Sequence, residues 1–415
     1  MTSQKILDRQ LPNLPQEVKF CKRCVVSNQR PRIVFDEDGI CGACRYADLK
    51  RQSIDWNMRE QELRELCDQY RRTDGRYDVI VPASGGKDSA RVAHELKYVY
   101  GMHPLTVTWA PFEYTPEGYN NFRRFIKVGG FNNLMAWPNG HLHRKLSRVA
   151  FEALGDAWQP FTYGQVCYAF HIAHQFDIKL VFFGENGEAE YSGDPRVFNL
   201  RGMPFDIWAE QYFKGVTVDD LIEYGLHETD YLTRDDFDAS DLTFYRPPDI
   251  DAMKKQGVEF HWFSYYRKWV PQENYYYASE HTGFQANPEG RSEGTYSKYA
   301  SLDDQMDGFH YYLAFIKFGI GRTTSDAAHE VRDGHITREE AAALVNRFDG
   351  EFPRRWFTEF LEYLDITETQ FWEITDRFRQ PHIWQQVNGV WQLRQTVYDE
   401  YPALTGVPGY LSSLK

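Results

Sequence analysis

Six residues from Ser84 to Ser89 have the types and spacing to bind phosphate. Their sequence is Ser-Gly-Gly-Lys-Asp-Ser, after an apolar run at 79–81 and before Val92, Leu96 and Val99 at helical spacing. A loop between a strand and a helix presents backbone N–H groups at the positive end of the helix, where proteins bind phosphate. The segment therefore predicts a nucleotide phosphate site.

This loop differs from the Walker A pattern, Gly-x-x-x-x-Gly-Lys-Ser/Thr. When the two are aligned on Gly86 and Lys87, Val81 stands at the first glycine and Asp88 at the final hydroxyl. The segment therefore does not match the Walker A pattern at its first or its last position. A glycine-rich turn of an ordinary α/β protein is the alternative, but such a turn does not need a lysine, an aspartate and two serines around it.

Four of the six cysteines form two Cys-x-x-Cys pairs, Cys21 with Cys24 and Cys41 with Cys44. Their spacing is that of four-thiolate zinc sites. Four thiolates leave no open coordination position, so the predicted zinc is structural and not catalytic. Two disulfides are the alternative, which a cytoplasmic location disfavours.

An acidic segment, 184–188, follows the predicted fourth strand. Ligands of open α/β sheets bind at the carboxyl ends of the strands, so this segment is expected to face the phosphate loop. Glu185 and Asp88 are candidate Mg²⁺ ligands, because the cation of a triphosphate needs hard oxygen ligands. Thr108, at the end of the second strand, and Gly184 are candidate ATP contacts. A solvated loop and an ordinary strand end are the alternatives.

Two later segments carry cations beside glycines. They are Gly290-Arg-Ser-Glu-Gly-Thr-Tyr-Ser-Lys298 and Lys317-Phe-Gly-Ile-Gly-Arg322. Glycines let a ligand approach the backbone, and neighbouring cations can bind phosphate or carboxylate. We therefore predict that a second substrate contacts Arg291, Lys298, Lys317 and Arg322. Cations that complement a helix dipole are the alternative.

The elements expected to position these residues are four strands of a parallel sheet, with helices between them. The strands are predicted at 79–81, 104–109, 133–137 and 179–183, and the helices near 60–70, 119–128, 143–154 and 163–176. Further helices are predicted at 306–318, at 326–332 with Thr324 or Ser325 as cap, from a capping box at Thr337, and at 353–364 and 367–378. The predicted fold class is α/β with an N-terminal zinc ribbon and a mostly helical C-terminal region.

We divide the 415 residues into five parts. These are an N-terminal arm and zinc ribbon (1–50), a linker helix (51–75), the nucleotide-binding domain (76–200), an insertion for substrate or partner (201–300) and a helical C-terminal region (301–415). The last portion, 379–415, is aromatic and irregular and carries no catalytic signature.

The composition excludes some classes of function. Asp plus Glu number 60 against 47 for Lys plus Arg, a net charge of -13 that argues against bulk nucleic acid as a partner. No apolar run approaches the roughly 18 residues of a membrane span, and residues 1–20 lack a signal-peptide core. We expect a soluble, cytoplasmic protein.

In order along the chain, these motifs resemble the N-acetyl sugar amidotransferase family. This family belongs to the PP-loop ATP pyrophosphatases and includes the WbpG-like and PseA-like acetamidino-sugar enzymes. The Ser84–Ser89 segment matches the Ser-Gly-Gly-x-Asp-Ser signature, and the cysteine pairs, Gly184-Glu-Asn186 and the two cation segments keep the family's order. The resemblance covers about residues 20–350 and implies a PP-loop (adenine nucleotide alpha hydrolase-like) sheet.

The resemblance also implies an activity in bacterial surface polysaccharide or flagellin glycan biosynthesis. An acetamido group on a sugar, expected to be nucleotide-linked, would be adenylated by ATP and converted by ammonia into an acetamidino group. The implied catalytic residues are Ser84, Lys87 and Asp88, with Asp88 as a Mg²⁺ ligand. The implied ATP contacts in the loop are Ser84, Gly85, Gly86, Lys87, Asp88 and Ser89.

The sequence shows no glutaminase signature of its own. Residue 2 is Thr2, where one glutaminase class has cysteine, and Cys167 lies outside a Gly-x-Cys-x-Gly elbow. Ammonia is mostly protonated at neutral pH and must be produced locally. We therefore expect an ammonia-supplying glutaminase partner, similar to the glutaminase (HisH-like) and cyclase (HisF-like) subunits of imidazole glycerol phosphate synthase.

Two other functions remain open. A PP-loop tRNA thiolase needs a basic surface and a reactive cysteine, for which Cys167 is the candidate. A non-catalytic zinc-ribbon adaptor would retain the nucleotide site only as a relic, and the intact Lys87, Asp88 and Ser89 argue against it.

Overall fold

A five-stranded parallel sheet lies at the centre of the computed structural model, which describes residues 5–202, 213–404 and 409. Residues 1–4, 203–212, 405–408 and 410–415 belong to the predicted arm, insertion and C-terminal region, and what we predicted for them lies outside the described part. The strands of this sheet are β1 (Val79–Pro82), β2 (Pro104–Trp109), β3 (Asn132–Ala136), β4 (Leu180–Phe183) and β5 (Glu259–Trp262).

The strand order is β3-β2-β1-β4-β5, and each neighbouring pair is parallel. After β1, the chain adds β2 and then β3 on one side of β1, and it then crosses to the other side of β1 to add β4 and β5. This reversal makes the gap between β1 and β4 a topological switch point, where open α/β sheets bind ligands. The predicted α/β fold class is confirmed.

Both faces of the sheet are covered by helices. The helices before the C-terminal region are α1 (Gly42–Gln52), α2 (Trp56–Tyr70), α3 (Lys87–His94), α4 (Pro116–Gly129), α5 (Gly140–Leu154), α6 (Gln159–Gln175), α7 (Val218–Glu228), α8 (Ile250–Gln256), α9 (Phe263–Tyr266) and α10 (Pro271–Thr282). Side chains alternate along β1, so Ile80 joins the core with α5 and α6, while Val79 and Val81 join the core with α3 and α10.

The C-terminal region is mostly helical, as expected. It contains α11 (Asp307–Phe318), α12 (Arg322–Asp333), α13 (Arg338–Phe348), α14 (Phe357–Leu364) and α15 (Glu368–Asp376). The predicted capping box at Thr337 is present, with Glu340 as its second member. None of the described helices combines the length and apolar character needed to cross a bilayer.

Three predicted details of the secondary structure were wrong. The helix α12 begins at Arg322, not after Thr324 or Ser325, because the distant Asp349 accepts hydrogen bonds from the amides of Gly321 (3.0 Å) and Thr324 (3.2 Å). The strand β5 comes from the segment predicted as an insertion.

The third detail is an antiparallel hairpin in the segment predicted to be irregular, with strands β6 (Trp384–Val387) and β7 (Val390–Leu393). The hairpin turns at Asn388 and Gly389, whose positive φ angles of 52° and 81° suit a type I′ turn. An Asn-Gly dipeptide between two apolar strands is a local signal for such a hairpin.

The cysteine-rich segment packs on the C-terminal helices. The guanidinium of Arg338, at the start of α13, donates from Nε to the carbonyl oxygens of Cys21 and Cys24, both at 3.0 Å. In addition, Arg332 Nη1 of α12 lies 3.9 Å from Cys24 Sγ. The cysteine-rich segment and the helices α12 and α13 therefore meet, although they are distant in sequence.

Candidate active site

A cavity of about 670 Å³ opens at the carboxyl ends of β1, β2 and β4. Its lining includes most of the predicted ATP and Mg²⁺ contacts: Ser84, Gly86, Lys87, Asp88, Ser89, Thr108, Gly184 and Glu185. The structure thus brings together residues from three strand ends at the switch point. A volume of this size is ordinary for a small-molecule site.

Gly85 sets the backbone conformation of the Ser84–Ser89 loop at the point where it contacts α4. Its φ angle is +86°, and a Cβ at this position would lie 2.5 Å from the Cα of Phe122 in α4. Both the left-handed backbone and the contact exclude a side chain. The next residue, Gly86, is the N-cap of α3 without a side-chain capping bond, and its amide donates to Ser84 Oγ at 3.2 Å.

Asp88 is held in place by a chain of polar contacts. Its Oδ1 accepts from Asn274 Nδ2 at 2.8 Å, and Asn274 Oδ1 accepts from Arg91 Nη1 at 2.6 Å. Its other oxygen contacts Lys87 Nζ, which lies 5.2 Å from the ring centre of Tyr299. Asn274 is buried and belongs to the predicted insertion, and nothing in its local sequence indicated this role.

Asp303 is a second carboxylate of the cavity that the sequence analysis did not select. It accepts a hydrogen bond from Ser84 Oγ at 2.6 Å. Burial raises the pKa of Asp303 to about 6, against the lowering effect of that hydrogen bond. The neighbouring Asp304 supports the backbone, because it accepts from the amides of Phe112 (2.6 Å) and Met306 (2.8 Å). An Asp-Asp pair before a helix is too common to identify a site by sequence.

Glu185 faces the same cavity as Asp88. Burial, together with the negative charge of Asp88, raises the pKa of Glu185 to about 7. These two carboxylates offer the hard oxygen donors that Mg²⁺ prefers, so the residues fit the predicted ion. Thr108 also lines the cavity, but its Oγ1 donates to the carbonyl oxygen of Ala83 at 2.5 Å, which ties β2 to the loop.

Of the four cations predicted to contact a second substrate, Arg322 lines this cavity. The other three have different surroundings. Arg291 pairs with Glu351 at 2.6 Å beside a separate cavity, and the exposed Lys298 lies over the ring of Tyr275. Lys317 is buried, pairs with Asp8 of the N-terminal arm and donates to the carbonyl oxygen of Leu154 at 2.7 Å.

The four cysteines of the two Cys-x-x-Cys pairs form one buried cluster, with all four sulfurs within 4.8 Å of one another. The Sγ atoms of Cys21 and Cys44 are 3.9 Å apart, and those of Cys24 and Cys41 are 3.7 Å apart. Tetrahedral zinc with Zn–S bonds of 2.3 Å requires sulfur separations of about 3.8 Å. The donors therefore fit a structural zinc ion.

The surroundings of this cluster also suit a metal thiolate centre. The amides of Arg23, Cys24 and Cys41 donate to Cys21 Sγ at 3.4, 3.5 and 3.3 Å. Four thiolates around a divalent ion carry a net charge of about -2. The buried guanidinium of Arg332, 3.9 Å from Cys24 Sγ, offsets part of this charge.

Comparisons with known proteins identify the C-terminal region. Residues 293–398, about a quarter of the chain, match the family described as LPS biosynthesis protein WbpG-like, C-terminal domain. No curated protein matches the sequence.

Two solved structures share part of the fold. One is an NH3-dependent NAD synthetase from Campylobacter jejuni subsp. jejuni NCTC 11168 in complex with the nitrate ion, with 13% identity, a TM-score of 0.26, and coverage of 49% of this chain and 95% of that chain. The other is NMN synthetase from Francisella tularensis, with 14% identity, a TM-score of 0.27, and coverage of 57% and 90%. The TM-scores are low, and neither likeness supports a conclusion about this protein.

The parallel sheet, with the Ser-Gly-Gly-Lys-Asp-Ser loop at its switch point, is an α/β fold of the kind that the PP-loop resemblance implies. Within that class, the chain carries the WbpG-like C-terminal domain, which contributes Asp303 and Arg322 to the cavity. For residues 293–398, the WbpG-like resemblance predicted from the sequence motifs is confirmed.

Replacement of one cluster cysteine tests the metal site. The variant Cys24→Ser should contain markedly less zinc than the parent protein and unfold at a lower temperature, because a structural zinc contributes directly to folding. Zinc content by elemental analysis and a thermal unfolding curve are the measurements. The control is Cys67→Ser, which alters a buried cysteine of α2 outside the cluster and should keep the zinc. Unchanged zinc in Cys24→Ser would contradict the assignment.

The raised pKa of Glu185 predicts a pH-dependent stability in Mg²⁺-free buffer. Between the ordinary value of 4.5 and about 7, the folded state keeps a proton that the unfolded state has lost, so the unfolding free energy should fall as pH rises. The variant Glu185→Gln cannot ionise and should be more stable than the parent by about 1–2 kcal/mol at pH 8, with little difference at pH 4. Urea unfolding at both pH values measures this.

The matched control is Glu37→Gln, which changes an exposed glutamate of the ribbon. It should follow the parent at both pH values. Equal pH dependence in the parent and Glu185→Gln would show that Glu185 ionises normally in the folded protein.

Proposed function

We propose that the protein is an ATP-dependent amidotransferase that releases AMP and pyrophosphate. It would convert the acetamido group of a sugar, expected to be nucleotide-linked, into an acetamidino group in bacterial surface polysaccharide or flagellin glycan biosynthesis. The observation that carries this proposal is the composition of the 670 Å³ cavity. One wall is the Ser84–Ser89 loop, and another is supplied by the WbpG-like domain.

The loop is suited to bind the β- and γ-phosphates of ATP. The N-terminus of α3 has no side-chain cap, so its first amides, beginning with Lys87, lie where the helix dipole favours an anion, while the amide of Gly86 donates to Ser84 Oγ at 3.2 Å. Lys87 Nζ adds a positive charge that can stabilise departing pyrophosphate. The hydroxyls of Ser84 and Ser89, which here donate to Asp303 and to the carbonyl oxygen of Gly86, can rotate to donate to the phosphates. A Mg²⁺ ion held by Asp88 and Glu185 would neutralise phosphate charge and orient the triphosphate.

In the first step, the acetamido oxygen attacks the α-phosphorus of ATP. An O–P bond forms, the bond between the α-phosphorus and the bridging oxygen breaks, and pyrophosphate leaves with that electron pair. The product is an O-adenylyl imidate whose nitrogen keeps its proton and carries the positive charge. Adenylation converts a poor leaving oxygen into AMP, which is a good leaving group. Breaking this bond, and not the γ-phosphate bond, accords with a loop that lacks the Walker pattern.

In the second step, ammonia adds to the imidate carbon. The carbon–oxygen bond then breaks, AMP leaves, and the nitrogen loses a proton to give the acetamidino group. A carboxylate with a pKa near neutrality can accept this proton. Asp303 lies in the cavity and has a pKa raised to about 6 by burial, so it is our candidate base.

The tRNA thiolase alternative is less well supported. Its candidate nucleophile, Cys167, is fully buried in α6 and donates its S–H to the carbonyl oxygen of Tyr245 at 3.7 Å. Burial raises the pKa of Cys167 well above its usual value, whereas a reactive cysteine needs accessible thiolate. Among the described residues, no cysteine lines the cavity.

The same observation bears on the ammonia source. A buried Cys167 is no more available as a glutaminase nucleophile than as a thiolating one. We therefore propose that a separate glutaminase, similar to the one that serves imidazole glycerol phosphate synthase, delivers ammonia to this cavity.

The products of ATP turnover test the reaction. With ATP, Mg²⁺, an ammonium salt and a nucleotide-linked acetamido sugar, the parent should form AMP and pyrophosphate in step with an acetamidino product. Lys87→Ala should lower the rate by about 100-fold or more and leave folding intact, because it removes charge stabilisation of the departing pyrophosphate. The control is Lys97→Ala, which removes a half-buried lysine that contacts the carbonyl oxygen of Gly130 outside the cavity. Formation of ADP and phosphate would exclude adenylation.

The source of nitrogen is tested separately. The purified chain should use ammonium but not glutamine, and its rate at fixed ammonium should rise with pH because the fraction of free ammonia rises. Addition of a glutaminase should restore turnover with glutamine. Incorporation of nitrogen from glutamine by the chain alone, measured by mass spectrometry with labelled amide nitrogen, would contradict the need for a partner.

A further inference from the structure

Arg30 brings a cation from the cysteine-rich segment into the ATP cavity. It lies beyond the first Cys-x-x-Cys pair and lines the same cavity as the phosphate loop. Its Nη1 is 3.4 Å from Ser325 Oγ, and its guanidinium carbon is 5.4 Å from the ring centre of Tyr191. The Nε atom is withdrawn from solvent and has no hydrogen-bond partner within the described part of the chain.

Arg30 also lacks a counter-charge in direct contact. Across residues 5–202, 213–404 and 409, no carboxylate lies within 4.0 Å of it. The acidic group that most affects it, Glu188, is bound by Arg32 in a two-bond contact at 2.6 and 3.0 Å. Burial accordingly lowers the pKa of Arg30. A partly buried cation whose Nε has no hydrogen-bond partner and which contacts no counter-charge is unfavourable, so this arrangement points to an anionic ligand.

A second guanidinium stands beside it. Arg322 and Ser325 are separated by three positions on α12, which places them on the same face of that helix. Arg322 Nε contacts Asp326 at 3.1 Å, and its guanidinium carbon lies 4.3 Å from the ring centre of Tyr311. Because Ser325 also contacts Arg30, the two guanidinium groups border the same part of the cavity.

The backbone of α12 does not provide this site. The amides of Gly321 and Thr324 at its N-terminus already donate to Asp349. Recognition must therefore come from the side chains of Arg30, Arg322 and Ser325. Two arginines present planar forks of donors that match the oxygens of phosphate groups.

We propose that Arg30, Arg322 and Ser325 form a subsite for the diphosphate group of a nucleotide-linked sugar, the second substrate. The inference rests on the proposed function, because it assigns the substrate of the same cavity. In that function the phosphates of ATP lie on the Ser84–Ser89 loop, where the cation Lys87 packs against Tyr299. Arg30 and Arg322 pack instead against Tyr191 and Tyr311, away from that lysine. Arg322 is held through its Nε by Asp326, whereas Arg30 has no such counter-charge within the described part of the chain, so Arg30 is the main candidate to bind a different anion.

The subsite orients the sugar for reaction. A diphosphate held at the arginines would anchor one end of the substrate, while its acetamido group reaches the α-phosphate of ATP. The zinc ribbon then contributes to substrate binding through Arg30. A neutral acetamido sugar should bind much more weakly than its nucleotide diphosphate form.

Binding measurements test this subsite without turnover. The full-length protein is saturated with α,β-methylene ATP and Mg²⁺, so that the Ser84–Ser89 loop is occupied, and then titrated with inorganic pyrophosphate or UDP-N-acetylglucosamine. The parent should bind both probes, and N-acetylglucosamine should not bind at the same concentrations. Arg30→Met and Arg322→Met should each weaken diphosphate binding at least tenfold, and Ser325→Ala should have a smaller effect. The Kd of the ATP analogue should stay within about twofold.

The matched control is Arg45→Met, which removes an arginine of the same ribbon that pairs with Asp36 and Asp38 away from the cavity. Its probe binding should equal that of the parent. Arg30→Lys should retain part of the affinity, and unchanged zinc content in each variant shows that the ribbon is folded. Absence of pyrophosphate binding in the parent, or equal binding by Arg30→Met, would overturn the subsite.

The two proposals fail in different ways. If the arginine variants lose pyrophosphate binding but the parent forms no AMP from ATP, the adenylation reaction is wrong and the anion subsite stands. If AMP and pyrophosphate form normally while Arg30→Met leaves the KM for the nucleotide-linked sugar unchanged, the reaction stands and the subsite is wrong.

Discussion

The cavity depends on the close contact between Gly85, which has a left-handed backbone, and the backbone of Phe122. The turn at Gly85 lets the chain leave β1 and enter α3 within a few residues, so the amides of the loop face the gap between β1 and β4. The reversal of strand order opens that gap. The geometry predicted to bind phosphate is thus a property of the backbone, and Lys87 and Asp88 add charge to a loop that the turn has already shaped.

Segments that are far apart in sequence close the cavity around this loop. The Ser84–Ser89 loop and the acidic segment follow strands of the sheet, and Asn274 comes from the 201–300 segment. Asp303 and Arg322 come from the WbpG-like region, and Arg30 comes from the ribbon. A buried ion pair between Lys50 of α1 and Glu190 after β4, at 2.6 Å, joins the ribbon to the acidic segment. Buried ion pairs add little net stability, but breaking one is costly, so this pair favours a single relative placement. The cysteine-rich segment can in this way support the cavity through contacts other than its four thiols.

Charge is distributed unevenly within the cavity. Asp88, Glu185 and Asp303 lie near the loop, and the pKa values of Glu185 and Asp303 are raised because burial disfavours several negative charges together. The guanidinium groups of Arg30 and Arg322 border the cavity on α12 and the ribbon. Asp326 contacts Arg322 at 3.1 Å, whereas no carboxylate of the described residues lies within 4.0 Å of Arg30, so Arg30 is the cation that distinguishes this part of the cavity. The overall charge of -13 gave no indication of this distribution.

By itself, the sequence determined what depends on near neighbours. The loop, four strands of the sheet, the helices after Thr337 and the cysteine pairs all follow from short-range periodicity, turn residues and ligand spacing. Only the tertiary structure decided the pairing of β5 with β4, the hydrogen bonds of Asp303 and Asn274 with Ser84 and Asp88, and the entry of Arg30 into the cavity. It also separated Arg322 from Lys317, which are close in sequence, because α11 ends in the core while α12 begins at the cavity. These contacts join residues far apart along the chain, so no local pattern could have indicated them.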